Sequence, residues 1–138
     1  MKENEEFYLG SSDRGFLSTA DAAGRPTVVP VCFAYESDII YIPIDDKPKR
    51  SGNLARLKNL SSRQSAAFIV DSYSQDWTRL SYLLVHGRGR VVKGETELSR
   101  AKTLLRRKYP QYLSMSLDIR TVIALDVEES KFWAFQPR

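Results

Sequence analysis

The chain has 138 residues, 42% of them hydrophobic and 28% charged, with a net charge of +4 and a pI near 9.3. That mix suits a single soluble domain over residues 1–138 with a modest core, and no apolar run approaches the roughly 20 residues of a membrane span. The acidic, polar start Met1-Lys2-Glu3-Asn4-Glu5-Glu6 is not expected to act as a signal peptide. One cysteine, Cys32, excludes an internal disulfide, and with a single histidine, His86, it argues against a zinc site or a Cys/His catalytic pair. A reducing cytoplasm, an anionic partner and no membrane partner are the expectations left standing.

In chain order, Glu5 to Ser12 reads as a short helix or arm. Gly15 to Ala20 is a first strand, followed by a turn at Asp21-Ala22-Ala23-Gly24-Arg25 where Gly24 supplies backbone freedom. A second strand is expected from Pro26 to Tyr35. Its middle, Val28 to Phe33, is apolar on both faces, as in a strand buried between a barrel interior and something else. Pro30 cannot donate to a ladder, so it marks an edge, a bulge or an opening in the sheet. Glu36-Ser37-Asp38 turns into a third strand, Ile39 to Ile44, which would complete a meander.

A basic cluster follows at Lys47, Lys49 and Arg50, between that strand and a helix expected from Ser51 to Asn59. Ser51 is a candidate N-cap, and Leu54, Leu57 and Leu60 recur at helical spacing. The first N–H groups of a helix lack intrahelical acceptors and its dipole is positive there. Basic side chains at such a point make a phosphate site; the plainer reading is a solvated, charged helix start.

A fourth strand covers Ser65 to Asp71, then a polar, aromatic loop Ser72 to Trp77. A long strand from Arg79 to Val92 has Gly87 and Gly89 as bulges or corners. A second helix runs from Thr96 to Tyr109 and stops at Pro110. Thr121 to Val127 and Lys131 to Phe135 close as a hairpin. Six or seven strands with two main helices predict a mainly β protein with α, a small Greek-key-like barrel.

Three segments carry a resemblance: Gly24-Arg25-Pro26 to Phe33, Asp46-Lys47-Pro48-Lys49-Arg50, and Asp76-Trp77-Thr78-Arg79-Leu80. Together they resemble the flavin-binding split-barrel family of pyridoxamine 5'-phosphate oxidase-like proteins, and most of all its deazaflavin (coenzyme F-420)-dependent oxidoreductases. The resemblance runs from about Gly15 to Val92. It implies an FMN-binding type of split barrel, a homodimer with two sites across its interface, a small-molecule substrate, and FMN or coenzyme F-420 as cofactor. Within it, Lys47, Lys49 and Arg50, with Ser51 and Asn53 at the helix start, would hold the cofactor phosphate. The backbone of Val29, Pro30, Val31 and Cys32 would run along the ring edge. Trp77 and Arg79 would reach the site of the other subunit.

True pyridoxamine phosphate oxidases of the family carry Arg and Lys where this chain has Thr27 and Cys32, and a histidine-containing motif near the C-terminus that it lacks. That particular oxidation is therefore not expected. No catalytic side chain is singled out; hydride transfer places the redox chemistry on the cofactor. Each residue also has a plain role: Cys32 as a small buried hydrophobe, Asp76 and Arg79 as a local pair, His86 as structural. Two other functions fit the composition: a non-catalytic flavin carrier, and an OB-like barrel stacking single-stranded nucleic acid on Tyr73, Trp77 and Tyr82. The placement of the basic residues, at a helix start and along a helix face rather than a strand groove, disfavours nucleic acid.

Overall fold

The computed structural model describes residues 1–45 and 51–136, with backbone alone for Asp45 and residues 51–54. Its elements are α1 (Glu3–Gly10), β1 (Gly15–Ala20), β2 (Pro26–Val31), β3 (Ala34–Glu36), β4 (Ile39–Asp45), α2 (Ser51–Ser62), β5 (Ser65–Ser72), β6 (Ser81–Val91), α3 (Glu95–Lys108), α4 (Gln111–Ser114) and β7 (Ile119–Ala134), with a 3-10 turn at Trp77–Arg79. The strands form one antiparallel sheet in the order β2-β1-β5-β6-β7-β4-β3.

β2 and β3 are consecutive in the chain yet lie at opposite edges of the sheet, joined only by Cys32 and Phe33. Three Cα–Cα steps of about 3.8 Å cannot separate Val31 from Ala34 by more than about 11 Å. The sheet must therefore curl until its edges nearly meet. The result is a small barrel parted along one seam, the mainly β architecture expected from the sequence.

Three expectations are corrected here. The strand expected from Pro26 to Tyr35 is two strands on two edges, so β1 to β4 form two hairpins and no meander. Nor is it buried from both sides within one chain: of β2 only Val31 is fully buried, and Val28 is 64% exposed. The closing hairpin is instead one bent strand, β7, pairing with β6 from Ser81↔Ala134 to Val91↔Ile123. His86 faces Glu129 while Gly87 faces Val127, which leaves Glu128 as the extra residue of a β-bulge. A bulge, not a reversal, absorbs the polar Glu128-Glu129-Ser130.

The barrel interior is the main core. Alternate residues of β1 point inward, so Leu17 meets Phe68 of β5 in register, and Phe33 packs its ring edge-on against Phe68 at 4.9 Å. Leu9 of α1 plugs one opening of this core and Leu60 of α2 enters it beside Gly89, where a side chain would collide with it. A second cluster lies outside the barrel, where Ala101 and Leu105 of α3 cover Tyr41, Val122 and Ala124 of β4 and β7. Arg90 of β6 fixes that helix: its guanidinium is 2.8 Å from Glu97 of α3 and 2.8 Å from Asp126 of β7, and Tyr41 donates to Glu97 at 2.9 Å. Among the described residues the outer face of β2, β1, β5 and the first half of β6 has no such cover. Across it Pro30, Phe16, Ile69 and Leu84 stand in one register row, with Val28, Ser18, Ala67 and His86 in the next. No helix among the described residues is long and apolar enough to cross a membrane.

Candidate functional site

The seam opens into a cavity of about 370 Å³, lined by Pro30, Val31, Cys32, Pro43, Arg56, Tyr109, Gln111, Tyr112 and Leu117. Its position follows from the strands. β3 pairs with β4 only as far as Ala34↔Tyr41, so the far end of β4 carries Pro43 on an edge with no described partner strand. β2 pairs on one side only, and Pro30 lies near its end. A proline offers no N–H to a ladder, so both edges are blunted where they face each other. The gap stays open instead of zipping shut.

The far wall comes from the end of α3. Tyr109 pins it to the seam: its hydroxyl accepts the Phe33 N–H at 3.1 Å and donates to the Asp13 carbonyl at 2.8 Å, with the Phe33 carbonyl also at 3.1 Å. Burial pushes the Tyr109 phenol up to about 12, with the Phe33 bond opposing it. One residue earlier, the Lys108 ammonium sits 3.6 Å from the centre of the Phe33 ring and 3.5 Å from the Leu9 carbonyl. Partial burial lowers its pKa to about 8, against the opposing charges of Asp13 and Cys32. The seam is thus held from outside by two neighbouring side chains of one helix end.

Of the residues marked from sequence, Pro30, Val31 and Cys32 line the cavity, and Val29 sits next to them, half-buried on the inner face of β2. Cys32 is exposed rather than the buried hydrophobe expected, because it falls in the two-residue link between sheet edges. Lys47, Lys49 and Arg50 lie outside the described residues. β4 ends at Asp45 and α2 begins at Ser51, so the cluster does connect a strand to a helix start, with Asn53 in that helix's first turn.

Trp77 and Arg79 do not line the cavity of their own chain. They occupy the 3-10 turn between β5 and β6, where Trp77 is 66% exposed. The Asp76 carboxylate accepts from the hydroxyl and the backbone N–H of Thr78, which, with the charge of Arg79 nearby, hold its pKa below the usual carboxylate range. His86 projects from the uncovered sheet face with Glu129 at 3.6 Å, far in register from the seam, so the cavity contains no imidazole.

Pro43, Arg56, Tyr109, Gln111, Tyr112 and Leu117 were not anticipated. Arg56 looked like a polar spacer between Leu54 and Leu57. Tyr109-Pro110-Gln111-Tyr112 looked only like the stop of a helix, although three polar or aromatic residues clustered at a helix end were a signal that could have been read.

Among the described residues the lining is apolar with a few hydrogen-bonding groups, one cation and no carboxylate. That composition suits a planar, mostly apolar ring system carrying polar edges, and the volume lies within the range of small-molecule sites. A barrel parted at a seam, with a ligand-sized cavity in the parting, is the architecture of the split-barrel proteins. The chain belongs to the pyridoxamine 5'-phosphate oxidase family, whose model matches residues 1–134. No curated protein sequence matches it significantly. Among solved structures it is similar to a conserved hypothetical protein of Mycobacterium tuberculosis, with 17% identity and a TM-score of 0.76 over 97% of this chain and 85% of the other. It is also similar to the heme storage protein HutZ of Vibrio cholerae (16%, TM-score 0.72, 96% and 93% covered) and to an FAD-binding protein of Mycobacterium smegmatis (15%, TM-score 0.68, 99% and 98% covered).

Proposed function

We propose that this chain is a flavin-type oxidoreductase that binds FMN or coenzyme F-420 at the seam of a homodimer and moves hydride to or from a small organic molecule. The observation that carries the reading is the cavity itself: the Pro30-Val31-Cys32 edge, marked from sequence for the ring, lines it, in a chain of the pyridoxamine 5'-phosphate oxidase family. Lys47, Lys49 and Arg50 supply the phosphate's countercharge beside the α2 start, with Ser51 and Asn53 in the first turn. Tyr109 and Tyr112 wall the ring, and Gln111 and Arg56 offer donors to its polar edge. The bound cofactor supplies the hydride chemistry; the protein binds, orients and excludes water.

The dimer is part of the proposal. The outer face carries Pro30 and Val28 exposed, with Phe16, Ile69 and Leu84 half-buried beside them. Apolar groups left at a surface favour a covering partner, and a two-fold partner laid on that face would bring its own Trp77 and Arg79 near the rim. Coenzyme F-420 is favoured over FMN by the sequence motifs and by a basic surface suited to its acidic tail, and the cytoplasm is the compartment proposed. Purified protein should carry or take up one of these cofactors, seen as a flavin or deazaflavin absorption band with the released molecule identified by mass. Failure to bind either cofactor at micromolar concentration, in titrations followed by fluorescence, would remove the reading.

A further inference from the structure

The uncovered sheet face ends in an aromatic corner. Where β5 hands over to β6 and β7 runs out beside them, a pocket of about 380 Å³ is lined by Phe16, Ile69, Tyr73, Leu80, Tyr82 and Trp133. Asp71, Ser72 and Ser81 are its polar groups. Tyr82 and Trp133 pair in register and stack, with ring centres 5.7 Å apart and planes 22° from parallel. None of the six apolar and aromatic side chains belongs to either core cluster, and Tyr73 is 70% and Trp133 39% exposed. Core packing therefore does not explain them, and rings gathered around a surface concavity point to a ligand.

Charge narrows what the pocket holds. Among the described residues Asp71 is the one ionisable acid or base on the lining apart from the tyrosines, and the Arg14 guanidinium stands 5.2 Å from the centre of the Phe16 ring. The carboxylate disfavours an anion and the guanidinium a cation, which leaves an uncharged ring system held by its faces. We propose that this pocket takes the substrate of the shared site, a flat, uncharged aromatic ring system laid against Tyr82 and Trp133. The role of the bound ring as substrate rests on the flavin-type, dimeric reading above. The pocket is tied to the Trp77 turn: the Leu80 N–H donates to the Trp77 carbonyl at 3.3 Å, and the Leu80 carbonyl accepts from the Phe135 N–H at 3.0 Å. A two-fold axis that brings Trp77 to the other subunit's seam therefore brings the pocket with it. Phe16 and Ile69 belong both to the pocket and to the face that the partner covers. The partner thus roofs the pocket, and the ring lies between the two chains.

The test titrates the full chain, without added cofactor, into 2-naphthol at neutral pH and reads the anisotropy of the naphthol's own fluorescence. Naphthalene-2-sulfonate and 2-naphthylmethylammonium serve as the anionic and cationic counterparts. The uncharged probe is expected to bind with a Kd of about 1 mM or tighter, and about tenfold more tightly than either charged one. Tyr82→Ala and Trp133→Ala should each weaken it roughly 2- to 12-fold, with unchanged circular dichroism. Tyr82→Leu keeps apolar bulk without the ring and stands in should Tyr82→Ala fail to fold. Leu113→Ala, which trims an apolar group 71% exposed on α4, should leave binding unchanged. No binding of 2-naphthol at millimolar concentration overturns the proposal. So does tighter binding of either charged probe, an affinity that ignores both Tyr82 and Trp133, or an equal loss in Leu113→Ala. These outcomes are read apart from the flavin titrations, which probe the seam.

Discussion

At Lys49 and Arg50 a single charge is expected to decide occupancy of the site. A charge-assisted hydrogen bond contributes about 1.5–3 kcal/mol, so Lys49→Ala and Arg50→Ala should each weaken cofactor binding roughly 10- to 100-fold, read by fluorescence titration, with little change in melting temperature. Lys108 gives a different kind of expectation. Its pKa falls from 10.5 when unfolded to about 8 in the fold. Between those values the unfolded chain binds more protons than the native one, so this group makes stability rise with pH from about 8 to 10.5. Lys108→Met should remove that rise. In urea melts the difference between the two proteins should change by about 1–2 kcal/mol across the window, less than full linkage because water screens a half-buried ammonium. Comparing the two proteins cancels the tyrosines, whose raised pKa values act in the opposite sense above pH 10.

Among the elements, β6 depends on its glycines. A Cβ at Gly87 would run into the Asp126 carbonyl oxygen of β7, immediately beside the bulge at Glu128. Gly87→Ala should therefore destabilise by about 3 kcal/mol through backbone strain rather than lost contacts, visible as a lower urea midpoint. Gly87 was recognisable as a bulge site from sequence, whereas Gly89, expected as a bulge or corner too, keeps regular register and instead makes room for Leu60. The break after Val31 was not recognisable, since Cys32 and Phe33 contain no turn residue and Tyr35 continues the apolar pattern. The polar Glu128-Glu129-Ser130 misled in the opposite direction, looking like a reversal where β7 only bulges. Local chemistry fixed where strands exist; which edge each occupies depended on partners far along the chain. The same holds for the site: Pro30 to Cys32 could be read, but the opposite wall comes from Tyr109, which meets Phe33 across 76 residues.

For the whole molecule, the uncovered face of β2, β1, β5 and β6 is where assembly is expected. Val28 is 64% exposed in the single chain, so Val28→Asp should change monomer stability by no more than about 0.5 kcal/mol. In a dimer built on that face the same substitution buries two carboxylates near the two-fold axis and should halve the mass seen by light scattering at micromolar concentration. A monomeric parent protein with cofactor bound would overturn this expectation. If Trp77 and Arg79 serve the partner's site, a mixed dimer with Trp77→Ala on one chain and Lys49→Ala plus Arg50→Ala on the other should keep one intact site. Activity no better than that of the two damaged homodimers would place all these groups in one chain's site.

The two-residue link at Cys32 and Phe33 also governs the order in which the chain can assemble. The β1–β2 and β3–β4 hairpins are made early in synthesis, yet they flank a gap that only β5, β6 and β7 can fill. Neither hairpin can bury its inner face until residues up to Ala134 have left the ribosome, so the first half of the chain has nothing to fold onto. Pairings of such long sequence separation are slow to form, and the free edges remain open to other chains in the meantime. The seam itself is closed from a distance, by the helix end at Lys108 and Tyr109 that reaches back to Phe33.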